Sequence, residues 1–95
     1  MIDFKNNNTD LYFLMRILLD KDVFPFDEIY FEKTKITFYH KKSQTKVYIY
    51  IKSTSKFTAK VRNRFFSFND VKNYKDFINF IQLSNSEILN NYSLN

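Results

Sequence analysis

The chain has no cysteine, no glycine and no tryptophan, and only one proline and one histidine in 95 residues. Each shortage removes a class of chemistry. Without cysteine there is no disulfide and no thiolate ligand, and His40 alone cannot assemble a zinc donor set, so no metal and no cofactor is expected. Without glycine there is no phosphate-cradling glycine loop and no nucleophile elbow, because both need backbone that a Cβ would obstruct. No apolar run reaches the roughly eighteen residues of a membrane span. The longest, Leu11 to Leu19, is interrupted by Arg16. The opening residues, Met1 to Lys5, lack the basic-then-apolar order of a signal peptide. The expectation is a cytoplasmic protein with no membrane association and no small-molecule substrate.

What is abundant is large and apolar: twelve Phe, nine Ile and seven Tyr. A chain of this size buries only about 60–65% of its unfolded surface, so a dense supply of such groups is needed for one core. Phe, Tyr, Met, Ile, Asn and Lys make up 53 residues, while Gly, Ala, Arg and Pro make up five. The first set has AT-rich codons and the second GC-rich ones. Composition therefore partly records codon supply, and the arrangement of residues is the better witness.

Charge is segregated along the chain. Residues 1–32 hold seven acids and three bases, and residues 70–95 hold three acids and two bases. Between them, residues 33–69 hold ten bases and no acid. Codon supply can enrich Lys, but it does not exclude Asp and Glu, which are used freely elsewhere.

Periodicity gives the elements. Thr9 or Asn8 can cap a first helix with Asp10 in its first turn, and Leu11, Leu14, Met15 and Leu18 recur at helical spacing. Pro25 requires that helix to end near 20–23. Alternation predicts strands over 28–33, 35–41, 45–52 and 56–62, with 64–68 as a fifth strand or a continuation past a bulge at Asn63. A second helix, capped by Ser67 or Asn69, carries the stripe Val71, Tyr74, Phe77, Ile78 and Ile81. Ser84-Asn-Ser-Glu87 matches a capping box and predicts a separate last helix through Asn90. Residues 1–8 and 91–95 read as frayed ends. The expected fold is one α+β domain over 1–95: an N-terminal helix, an antiparallel four- to five-stranded meander and a C-terminal helix, the helices covering one face.

Strand alternation divides the sheet residues between two faces. Ile29, Phe31, Ile36, Phe38, Val47, Ile49, Ile51, Phe57, Ala59 and Val61 fall toward the helices. The other face receives tyrosines and bases, and the candidate binding set is Lys35, Tyr39, Lys46, Tyr48, Tyr50, Lys52, Lys60, Arg62 and Arg64. Cations neutralise phosphates and release counterions, and aromatic rings stack on unpaired bases, so this mixture points to RNA or a nucleoprotein. The same residues have a structural account: cross-strand tyrosines stabilise a half-exposed sheet, and strand lysines guard edges.

Two other classes stand beside this one. The apolar Phe13 and Ile17 can place the first helix at a homodimer interface. A metal-independent ribonuclease can use His40, Lys46, Tyr48, Arg62 and Arg64 as acid, base and phosphate clamp. The carboxylates Asp20, Asp22, Asp27, Glu28 and Glu32 match no metal-site spacing and read as a solvated loop. In size, composition and charge layout the chain resembles the small inhibitors, anti-CRISPR proteins among them, that phages and mobile elements direct at host defence. That resemblance implies a non-enzymatic protein engaging RNA or a ribonucleoprotein effector in the host cytoplasm.

Overall fold

The computed structural model describes residues 9–53, 56–68 and 74–94, with side chains described between 13 and 92 apart from those of 54, 55 and 68–74. Helix α1 spans Thr9–Leu18, strands β1 to β5 span Glu28–Phe31, Lys35–His40, Thr45–Ser53, Lys56–Val61 and Arg64–Phe68, and helix α2 spans Tyr74–Leu94. The strands form one sheet in the order β1-β2-β3-β4-β5, each antiparallel to its neighbour. This is the α+β meander that the alternation predicted, with Arg64–Phe68 as a true fifth strand.

The helix-facing side of the sheet is built from period-two positions. Ile36, Phe38, Val47, Ile49, Phe57, Ala59 and Val61 are all buried. Leu14, Met15 and Leu18 of α1 and Phe77, Phe80 and Ile88 of α2 close over them. Phe24, in the connection between α1 and β1, joins the layers: its ring lies 5.2 Å from Phe38 on β2 and 5.7 Å from Phe80 on α2. Phe26 stacks beside it at 4.3 Å, so the residues flanking exposed Pro25 both turn inward. Burying such aromatic groups supplies about 2–3 kcal/mol each from apolar area alone.

The structure departs from the sequence reading at several points. Helix α1 ends at Leu18, and a series of turns through Val23 carries the chain to Phe24, where the Phe24 amide donates to the Asp20 carbonyl. Phe31 lies on the helix-facing side but is 54% exposed, because β1 is the outermost strand and runs beyond the helices' cover. On α2 the buried stripe is Phe77, Phe80, Ser84 and Ile88, while Ile78 is 47% exposed. No separate last helix starts at Ser84. Its hydroxyl instead donates to the Phe80 carbonyl one turn back, a bond that a Ser inside a continuous helix can make, and neither Gly nor Pro interrupts the segment. The helix continues through Leu94, so the frayed tail expected from Asn91 is helical there. The caps at Asn8 and Asn69 and residues 1–8 lie outside the described residues.

These positions order the expected cost of mutation. Phe80→Ala opens a cavity at a fully buried site and should cost about 3–5 kcal/mol. Ile78→Ala, two residues earlier and half exposed, should cost under about 1 kcal/mol. Urea denaturation of the two variants checks the order; equal costs would place the helix stripe where periodicity alone had put it.

Candidate nucleic-acid interface

The strand register arranges the side of the sheet away from the helices in three rows. Glu28, Tyr39 and Lys46 form one. Tyr30, Thr37, Tyr48, Lys60 and Phe65 form the second, across all five strands. Lys35, Tyr50, Thr58 and Ser67 form the third. Among the described residues of these rows Glu28 is the one acid, and it sits at the β1 corner.

Cations and rings interleave within the rows. The Lys46 ammonium stands 5.4 Å above the ring of Tyr39, its direct cross-strand partner. Lys60 stands at the same distance over its partner Phe65, and Lys35 reaches diagonally over Tyr48. The rings of Tyr48 and Tyr50 lie 6.2 Å apart. Thr37, between Tyr30 and Tyr48 in the middle row, is only 9% exposed, so the taller neighbours define the surface. At the corner the Tyr30 hydroxyl donates to the Glu28 carboxylate, and that bond holds the phenol above its ordinary pKa. Lys35 also pairs with Glu32 at 3.6 Å, a contact at the surface that is worth little on its own.

Six of the nine candidate residues therefore share this face: Lys35, Tyr39, Lys46, Tyr48, Tyr50 and Lys60. Lys52 is exposed but falls in the register shift between Ile51 and Ser53, outside the paired rows. Arg64 is on the wrong side. It pairs with Val61 in register and so points to the helix side, where it lines a groove with Phe66, Asn79, Gln82, Leu83 and Ser86. Arg62 occupies the two-residue turn between β4 and β5, and its Nε donates to Glu87 Oε1 on α2 at 2.7 Å. Glu87 is buried, so this contact ties the hairpin tip to the helix.

Phe65 is the residue that sequence reading missed. It is 61% exposed and completes the middle row. The signal was parity: a two-residue turn at 62–63 sets Val61 opposite Arg64, and hence Phe65 opposite Lys60.

The ribonuclease set is not gathered in one place. His40 lies on the helix side, its ring against Phe26 and Tyr92. The Ser43 amide donates to the His40 Nδ1, the Ser43 hydroxyl is hydrogen-bonded to both that nitrogen and the Thr45 hydroxyl, and Asn91 Nδ2 donates to Thr45, a chain that binds the β2–β3 turn to α2. Nor do the loop carboxylates assemble a metal site among the described residues. Asp27 accepts from the Lys41 amide instead, which lowers its pKa despite some desolvation. Ile17 packs on the core edge, and Phe13 is partly exposed.

Comparison of the chain with protein-family models, with curated proteins and with solved structures returns no match.

The Arg62–Glu87 contact makes its own forecast. Arg62→Ala leaves a buried carboxylate without its charged partner and should destabilise the fold by about 1–3 kcal/mol. Adding Glu87→Gln should recover part of that loss, since an amide costs less to leave unpaired than a charge. A double-mutant cycle by thermal denaturation measures it, and strictly additive losses would show that the two side chains act independently.

Proposed function

We propose that the open sheet face binds single-stranded nucleic acid, RNA foremost, and that the protein works by binding rather than by catalysis. The carrying observation is the register itself. Tyr39, Tyr48, Tyr50 and Phe65 alternate with Lys35, Lys46 and Lys60 on the sheet side away from the described helices, with Lys35 over Tyr48, Lys46 over Tyr39 and Lys60 over Phe65 at cation–π distance. Rings on a flat sheet accept unpaired bases, and lysines standing between them meet the phosphates that link those bases. A duplex keeps its base faces stacked inside and offers this surface only its phosphates. The resemblance to phage-type inhibitors supports one setting for this activity: the protein occupies the RNA of a host effector, and inhibition follows from occupancy.

The reading predicts a salt signature. Three lysine–phosphate contacts on a single strand give a slope of log K against log salt of about −2. Tyr48→Ala should weaken binding of a ten-nucleotide RNA by about 1–3 kcal/mol, the usual worth of one stacked base. Lys46→Glu with Lys60→Glu should abolish measurable binding while circular dichroism stays unchanged. Fluorescence anisotropy on single-stranded and duplex RNA tests all three. A flat salt dependence, or equal affinity for the duplex, would remove direct single-strand binding.

A further inference from the structure

The end of the open face nearest the β2–β3 and β4–β5 turns is not flat. Strand β3 begins at Thr45, two residues before Val47 meets Val61, the last residue of β4. Thr45 and Lys46 thus overhang the β4 end and leave a notch of about 290 Å³. Gln44, Thr45 and Lys46 form one side, Lys60 and Arg62 the other, Glu87 and Asn91 of α2 the rear, and Tyr48 connects it to the tyrosine face.

Three features of the notch point to an anion. The first is charge. Lys46, Lys60 and Arg62 all line it, and Glu87 is its one acid. The Glu87 carboxylate is matched by Arg62 at 2.7 Å, which leaves the two lysine charges without an acid in the notch.

The second is backbone conformation. Gln44 and Arg62 hold φ of 57° and 54°, and they are the residues with positive φ among those described. They stand on opposite sides of the same notch. A side chain with a Cβ costs about 1–2 kcal/mol in that region, and asparagine, which tolerates it best, occurs eleven times in this chain. Both positions nevertheless carry long hydrogen-bonding side chains, and such strain collects where ligands are held.

The third is rigidity. The rear wall is fixed by the Arg62–Glu87 contact and by Asn91 donating to Thr45 at 2.7 Å.

We infer that the notch holds the terminal phosphate of a nucleic-acid strand whose bases lie on the tyrosine face. This rests on the binding function proposed above and adds which part of the strand is recognised. A phosphomonoester carries about −1.5 to −2 charges at neutral pH, against one for an internal diester, and two lysines that face rings rather than an acid match the larger charge. On the helix side the notch is lined by Glu87 and Asn91 of α2. Gln44 adds a neutral donor to the phosphate oxygens. The strand then runs from its end at the notch across Tyr48 toward Tyr50.

One ten-nucleotide RNA prepared with a 5′-phosphate, with a 3′-phosphate and with hydroxyls at both ends tests this by titration against the intact protein. One phosphorylated form should bind at least ~10-fold more tightly than the hydroxyl form, the effect of one charge-assisted contact. The ratio between the two forms is the readout, so a general loss of affinity cancels. Lys46→Ala and Lys60→Ala should each bring that ratio toward one. Gln44→Gly, which relieves the backbone and removes the donor, should lower the ratio while raising thermal stability. Equal binding of all three RNAs overturns the inference and leaves the binding face standing, whereas no binding of any overturns both. A preference that survives both lysine variants places the phosphate elsewhere and overturns it. So does a nucleoside monophosphate that competes as well as the phosphorylated RNA, because the site would then serve the free nucleotide.

Discussion

Among the described residues, the two helices cover one face of the five-stranded sheet, and the character of both faces follows from that one-sided cover. The covered side could be made of Phe, Ile and Val without compromise, and Phe24 joins it to both the sheet and α2. The uncovered side had to stand in water beside tyrosine and phenylalanine rings. Lysines placed across the strands over those rings meet the requirement, since each exposed cation–π contact contributes about 0.5–1 kcal/mol and keeps the surface charged. Under the function proposed above, the contacts that keep this face in water are also the ones that would meet a polyanion with aromatic bases. Structural and functional accounts of the tyrosines therefore describe one arrangement.

Helix α2 does more than cover. Because it runs unbroken to Leu94, its last turns extend past the end of β4 and supply Glu87 and Asn91 to the two hairpin turns. A helix ending near Ile81 would have left those turns free. Ser84 shows how the continuity is obtained, with its hydroxyl bonded to Phe80 inside the helix rather than to the start of a new one.

The sheet was legible because its alternation is clean: residues 45–51 read directly as the inward and outward positions that the register confirms. Six candidate residues fell on one face for the same reason. What failed depended on events at chain turns. Arg62 was placed on β4 and Arg64 on either a fifth strand or a continuation past a bulge, whereas a two-residue turn puts the first at the tip and the second on the opposite side. With no glycine to mark such a turn, parity beyond Asn63 could not be fixed. The capping-box pattern at Ser84 was likewise a real local preference, overruled by packing that kept Phe77, Phe80 and Ile88 on one stripe. Phe31 fell on the side assigned to it and still faces water, because sequence gives the side of a strand but not how far a helix reaches across it.

The strand order repeats the chain order, and this bears on how the molecule assembles. Every strand pairs with its sequence neighbours, so each hairpin closes over a short loop and the sheet can zip forward with little entropy lost at each step. The longer closures are those that bring α2 against β3 and β4. The face that carries the rings and lysines is therefore built by the same short-range steps that pair the strands.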